Sequence, residues 1–558
     1  MHAFEYDDRT EFLGEWGCFQ KTVFFLLCLS VIPNGFTGLS IVFIGYTPAH
    51  QCLIPASVNI SAQWRNVSIP LEEGSGMTRL SQCNRYKLDV IQSYSGQGYV
   101  PWEDVNVTEI DQESCVDGWV YDRGTHTSTI VTEWDLVCSD DWKRPLTSSL
   151  FFCGVLSGSF LSGQLSDRFG RKMTLFVTMG VQTVFTLVQV FSSSWIIFCS
   201  LYFIIGMGQI SNYVAAFVLG MEILGPRVRI VFSTVGVCIF FSIGYMSLPI
   251  VAYFIRDWRM LQLALTMPCF LYVPLWWFIP ESPRWLLSQG RVEEAEAILR
   301  DAARKNGIKV PGKIFQPILS EGKVGKVVHH NLCDLVKSRN IRSVTILLCL
   351  VWASIAIGYL ALSLNTSNLH GNTFLNCFLS AAVEVPAYIL AWFMFRFWSR
   401  RLCLFSSLFL CGGVLLIIHL LPQNLSSVII ALEMMGKFGV TAAFAIIYAF
   451  TAELYPTVLR NTALGTCSMA SRLGSISAPY FIYLGTYYKS LPHILMGGLS
   501  LLSGLLSLLL PESLGMPLPE TIDQMQTVTG CKRRHPAHTV PRSEAEEDHV
   551  TETLCQEI

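Results

Sequence analysis

A chain of 558 residues in which 51% of the side chains are hydrophobic and 14% charged lies far from the composition of a soluble globular domain. A formal net charge of -2 leaves no basic surface for nucleic acid, and the 11 scattered histidines show neither metal spacing nor a nucleophile motif, so enzyme activity has no support. What remains is a membrane protein, its apolar residues gathered into runs of about 18 or more, enough to cross a hydrocarbon core about 30 Å thick.

Residues 1–20 carry Glu5, Asp7, Asp8 and Glu11 and lack the basic start and small-residue cleavage site of a signal peptide. The first run, Lys21 to Tyr46, is therefore a retained helix. Eleven more runs lie near 145–164, 173–191, 195–217, 231–254, 260–279, 343–364, 375–396, 402–421, 427–450, 464–484 and 492–510. Twelve spans put both termini on one side.

Basic residues in the flanking loops name that side, because Lys and Arg resist translocation. The turn Ser166–Lys172 carries Arg168, Arg171 and Lys172, and the segment 281–342 is rich in Lys and Arg, so both are expected in the cytoplasm. The stretch 47–143 is then outside. It holds three glycosylation sequons, at Asn59, Asn66 and Asn106, and four cysteines, Cys52, Cys83, Cys115 and Cys138, which allow two disulfides in any of three pairings. Within the central segment, Arg291–Arg300 alternates apolar and charged residues at helical spacing and reads as an amphipathic helix under the bundle. The tail, 511–558, is cytoplasmic, and beyond Gly530 it is polar enough to be disordered.

Three motifs recur. Glu222-Ile-Leu-Gly-Pro-Arg-Val-Arg229 is answered by Glu453-Leu-Tyr-Pro-Thr-Val-Leu-Arg460, and Pro280-Glu281-Ser282 by Pro511-Glu512-Ser513, both 231 residues apart; Asp167-Arg-Phe-Gly-Arg-Lys172 is echoed by Arg396-Phe-Trp-Ser-Arg-Arg401. Two six-helix halves follow, 21–280 and 343–510. Parallel repeats of this kind suit a transporter that rocks around a site near the midplane. Asp167, Arg168, Arg171, Glu222, Arg229, Glu453 and Arg460 sit where hydrated ion pairs would stabilise one conformation of that cycle, or would simply staple helix ends.

These motifs, with Pro280-Glu-Ser-Pro-Arg-Trp-Leu286 and the long first outer loop, resemble the organic ion transporters of solute carrier family 22. Phe12-Leu-Gly-Glu-Trp-Gly17, Ile32-Pro-Asn-Gly-Phe36, Ser128-Thr-Ile-Val-Thr-Glu-Trp134, Gly208-Gln-Ile-Ser-Asn-Tyr213, Tyr253-Phe-Ile-Arg-Asp-Trp258 and Ser471-Arg-Leu-Gly-Ser475 resemble its organic cation/carnitine branch. The likeness implies an all-α major facilitator fold of twelve transmembrane helices in the plasma membrane, taking up carnitine or a similar betaine with sodium. Gly220-Met-Glu-Ile-Leu-Gly-Pro-Arg227 departs from the Gly-Thr-Glu-Ile-Leu-Gly-Lys-Ser usual in the branch, and it ends a membrane helix instead of opening one after a strand, so ATP binding is not expected. Lys21, Asn365 and Glu433 also depart, where Arg, Asp and an apolar residue are expected.

Ionisable side chains inside spans cost roughly 2.5–3.5 kcal/mol and need a partner or a wet cavity. Four stand out: Glu384, Glu433, Lys437 and Arg472. Arg472 presents a planar fork suited to the carboxylate of a zwitterion, where cation-preferring members of the family place Asp; the alternative is a fixed pair with Glu433. Lys437 follows Glu433 by four residues, which predicts an intrahelical pair. A trimethylammonium group is held by aromatic faces worth about 0.5–2 kcal/mol each, and Tyr213, Phe240, Trp352, Tyr359 and Tyr448 are the candidates. Tyr213 leads them, beside Gln209 and Asn212. Sodium wants hard oxygens, which Asn34 and the carbonyls of the Pro33-Asn34-Gly35 break can offer. No other cofactor is expected. The reading is sodium-coupled uptake of a betaine by alternating access; the alternatives are sodium-independent transport of other organic cations, anions or zwitterions such as ergothioneine, and a substrate-binding receptor that does not transport.

Overall fold

The computed structural model describes residues 6, 9–74, 77–310, 312, 314–315, 334–422, 425–456, 459–514 and 525, so much of residues 1–20 and of the central segment, and nearly all of the tail beyond 514, lie outside the described residues. Twelve long helices account for the apolar runs: α1 Cys18–Ile44, α2 Lys143–Phe169, α3 Arg171–Val190, α4 Trp195–Ile223, α5 Pro226–Phe254, α6 Trp258–Phe278, α7 Arg339–Leu364, α8 Thr373–Phe397, α9 Arg400–Leu420, α10 Ser426–Leu454, α11 Arg460–Tyr483 and α12 Leu491–Ser507. Ten are long and apolar enough to cross a membrane alone. The other two are α12, which has 17 residues, and α11, whose Arg460, Arg472 and many hydroxyls dilute its hydropathy. Helices α1 to α6 pack among themselves, as do α7 to α12, and the halves meet where α2 crosses α11 and α5 crosses α8.

Close packing within each half rests on glycine. A side chain on Gly35 of α1 would overlap the carbonyl of Phe241 on α5, and one on Gly244 of α5 would overlap the carbonyl of Ile32, so the two helices touch backbone to backbone. Gly474 of α11 meets the carbonyl of Ala353 on α7 in the corresponding way.

Residues 47–143 form a small domain at one end, called here the loop end. Three two-stranded antiparallel ribbons and a core of Trp64, Tyr86, Ile91, Val107 and Ile110 are tied by Cys52–Cys115 and Cys83–Cys138, one of the three pairings the spacing allows. Asn59, Asn66 and Asn106 are all exposed on it. Beneath it an aromatic seam joins the halves. Phe43 stacks on Phe374 at 5.4 Å, and His126, 4% exposed, lies against Tyr46 at 4.3 Å and Phe374 at 5.4 Å. Burial, then the charge of Arg256, pushes the His126 imidazole down to about 4. Residues Ile41–Ile44 of α1 pack against the turn Asn365–Ser367 that ends α7.

At the opposite end the internal repeat becomes a repeated structure. Gly170, at φ 101°, lets α2 reverse into α3, and the Glu281 carboxylate accepts the N–H groups of Arg171 at 3.0 Å and Lys172 at 3.1 Å. Glu512 accepts those of Arg400 at 2.9 Å and Arg401 at 3.3 Å. Each carboxylate thus satisfies the unpaired donors at a helix start and meets the positive end of its dipole. The neighbouring guanidinium is paired in each half, Arg171 with Glu222 at 3.0 Å and Asp167 at 2.9 Å, Arg400 with Glu453 at 3.1 Å. Arg229 donates to Leu224 O at 3.1 Å and Arg460 to Tyr455 O at 3.5 Å, while Arg168 lies over the Phe169 ring. The amphipathic segment is helical over Val292–Asn306, ending at left-handed Gly307. Its Asn306 side chain accepts from Phe19 N at 2.9 Å and donates to Leu13 O and Gln20, pinning the start of α1.

Candidate substrate site between the halves

The deepest charges lie where α5 meets α8. Pro386 cannot donate to the carbonyl one turn back, and α8 divides at Val383, so that Glu384 starts its second segment. Glu384 is fully buried. Its Oε1 accepts from Tyr359 OH at 2.7 Å and from Lys437 Nζ at 3.0 Å; its Oε2 accepts from Ser242 Oγ of the other half at 2.9 Å. Lys437, 1% exposed, also donates to Ser363 Oγ and stands 3.4 Å from the centre of the Tyr359 ring, with Tyr245 at 5.9 Å. A cation cage is thus filled by the chain's own ammonium.

This corrects the expected Glu433–Lys437 pair. The ammonium turns inward, to a carboxylate that has lost all its water and gains most from a cation. Glu433 instead accepts from Asn365 Nδ2 at 2.6 Å, with His493 Nε2 at 3.7 Å. Arg472 does not pair with Glu433 either. Among the described residues no carboxylate lies within ion-pair distance of Arg472, and its buried Nε has no hydrogen-bond partner.

The aromatic candidates divide. Tyr213 and Tyr448 lie within charge reach of Arg472, and Tyr388 lies within charge reach of Glu384 and near both tyrosines. Trp352, fully buried with Nε1 on Thr451 Oγ1 at 3.0 Å, meets Tyr448 edge-on at 4.3 Å, and Phe444 links Tyr448 to Tyr359. A continuous wall therefore runs from Arg472 to the Glu384–Lys437 pair. Phe240 is placed elsewhere, its ring 6.5 Å from the half-exposed Phe25. Of the wall, Ser242, Tyr245, Tyr388 and Phe444 were missed from the sequence. Tyr388 had a signal, standing four residues after an intramembrane acid; the others had none.

The N-terminal half holds uncharged oxygens. Gln209 Nε2 donates to Asn34 O at 2.6 Å, Gln182 Nε2 to Thr37 Oγ1 at 3.1 Å. The side-chain amides of Asn34 and Asn212, 1% and 0% exposed, have no hydrogen-bond partner among the described residues, nor has Gln182 Oε1. Buried acceptors without donors are the chemistry that suits a small hard cation.

Comparison with known proteins places the chain in a family. Residues 118–521 match the family described as sugar (and other) transporter. Over 537 residues the chain is 58% identical to organic cation/carnitine transporter 2 of Homo sapiens, covering 96% of each chain. It is 57% identical over 532 residues to solute carrier family 22 member 4 of Mus musculus, covering 95% of this chain and 96% of that one. It is 37% identical over 530 residues to the organic cation transporter protein of Drosophila melanogaster, covering 93% and 94%. Among solved structures, the inward open conformation of the xylose transporter XylE from E. coli superposes with a TM-score of 0.57 at 12% identity, covering 89% of this chain and 98% of that one, a likeness of fold.

Proposed function

We propose a transport cycle on one premise: the chain belongs to the sugar (and other) transporter family, and within it to the organic cation/carnitine transporters of solute carrier family 22. The proposed cargo is carnitine or a related betaine, moved across the plasma membrane by alternating access with sodium as the coupling ion. The observation that carries the reading is Arg472, a guanidinium without an acidic partner among the described residues, at one end of an aromatic wall. Glu384 and Lys437 cancel, so the centre keeps one positive charge and favours a solute that brings its own carboxylate. Tyr213, Tyr448 and Tyr388 offer ring faces to the trimethylammonium end, which cannot donate a hydrogen bond. Asn34, Gln209, Asn212 and Gln182 supply the neutral oxygens proposed for sodium. The loop end is read as extracellular and both termini as cytoplasmic, supported by the basic turns at the opposite end and by two disulfides and three exposed sequons in one loop.

The test is uptake of labelled carnitine into cells with and without sodium, beside Arg472→Ala and Arg472→Lys at matched surface expression. A charge-assisted bond to a carboxylate contributes about 1.5–3 kcal/mol, so Ala is expected to raise KM roughly ten- to hundredfold and Lys less. Unchanged KM in the Ala variant would sink the carboxylate role. Unchanged uptake without sodium would leave a sodium-independent carrier.

A further inference from the structure

At the end opposite the loop domain, α8, α9 and α10 enclose an apolar groove that the site above does not use. α8 and α9 are tied at their shared turn, where Cys403 Sγ donates to Met394 O at 3.3 Å. Farther along, α9 leaves α8 for α10: a side chain on Gly439 would come within 2.7 Å of the Ser407 carbonyl, so those two helices touch backbone to backbone. The gap that remains is about 410 Å³, within the roughly 300–1,000 Å³ that small ligands occupy. Leu390, Phe393 and Phe397 of α8, the following Trp398, Leu410 of α9 and Phe438 of α10 line it. Phe397 and Trp398, 67% and 60% exposed, open it sideways on helices long and apolar enough to cross a membrane, so what faces it is lipid. From the turn to Leu410 it runs about 15 Å at the rise of a helix, half of a hydrocarbon core roughly 30 Å thick. That is the reach of one acyl chain.

A cation stands at the mouth. Arg396 is exposed, its guanidinium 5.8 Å from the centre of the Trp392 ring and 5.7 Å from that of Phe397. Among the described residues no carboxylate lies within ion-pair distance of it, because the acids of that end are engaged: Glu453 with Arg400 at 3.1 Å, and Glu512 with the backbone of Arg400 and Arg401. A planar fork beside an apolar slot suits a phosphate that carries an acyl chain.

We propose that this groove is a lipid site, in which one acyl chain of an anionic phospholipid lies between α8 and α9 with its phosphate on Arg396. The lipid belongs to the cytoplasmic leaflet, an assignment that rests on the reading of the loop end as extracellular; that leaflet carries the anionic headgroups which basic clefts between helices collect. The seated chain backs the segment Glu384–Phe397, which packs on α10, and so steadies the stretch of α8 that holds Glu384 against Lys437.

The measurement needs no solute, so its result is independent of which cargo is carried. The full chain is reconstituted into vesicles of phosphatidylcholine and phosphatidylserine in equal parts, with a trace of either lipid bearing a diazirine on one acyl chain, and the adducts formed on irradiation are mapped by mass spectrometry. Both leaflets hold the same lipids, so labelling reports on the groove whichever side of the membrane it faces. Adducts on residues 390–398 and 406–410 are expected to be about fivefold more frequent from the phosphatidylserine probe than from the phosphatidylcholine probe, the share that one arginine near a membrane surface contributes. In Arg396→Gln the two probes are expected to label alike. Ser406→Trp, which places a ring in the groove from an exposed position on its wall, is expected to remove most of the labelling there while leaving adducts elsewhere on the chain unchanged. Equal labelling by the two probes in the wild type, a preference that survives Arg396→Gln, or labelling indifferent to Ser406→Trp overturns the proposal. So does a photoactivatable sterol that marks the same residues and is not displaced by phosphatidylserine.

Discussion

A lysine and a glutamate that share almost no water are held together more by what separation would cost than by what pairing gains. Removing one partner of such a pair costs about 3–5 kcal/mol, whereas replacing both with apolar groups is often neutral. Lys437→Met is therefore expected to lower the thermal unfolding midpoint of the detergent-purified protein markedly, and Lys437→Met with Glu384→Met to recover most of the loss; a double variant no more stable than the single one would show that the partners act apart. Both residues were visible in the sequence as charges inside spans. Their partnership was not, because four-residue spacing sees only one helix, and the break in α8 before Pro386 brings the acid from another. That Arg472 is a charge within a span was legible in the same way, since its place on a helix of small and hydroxyl residues is local information.

Helices were legible wherever apolar composition governs, and their ends were not. The sequence places the second span at 145–164 and the fourth at 195–217, whereas α2 runs Lys143–Phe169 and α4 runs Trp195–Ile223. Backbone hydrogen bonding continues past the hydrocarbon, through the polar turns that carry the repeated motifs. Nor could composition say which glycines are contacts. Gly35→Val is expected to abolish the folded, surface-expressed protein, because α1 and α5 cannot part without opening the N-terminal half. Gly180→Val, on α3 with open space around it, is expected to leave expression unchanged, and size-exclusion profiles would separate the two. The short ribbons of the loop domain were not foreseen, since strands of three or four residues carry too little alternation to be read.

Across the whole molecule, duplication was legible in motif spacing, but the seam joining the two copies was not, because its rings come from three separated segments. The seam carries its own response to pH. The His126 value of about 4 lies below the ordinary imidazole value of about 6.5, so opening the seam takes up a proton that the closed form refuses. Its contribution to closure is complete above about 6.5 and declines as the pH falls toward about 4. Hydrogen exchange of residues 41–46 is expected to show an acid limb that His126→Phe removes; an identical limb in that variant would assign it elsewhere. The paired carboxylates at the other end have a different consequence. Glu281 and Glu512 fasten each bundle entirely from its own residues, and α1 is pinned by Asn306, which precedes the second bundle in the chain. A peptide severed between residues 315 and 334 would leave two fragments, each retaining its own fastenings.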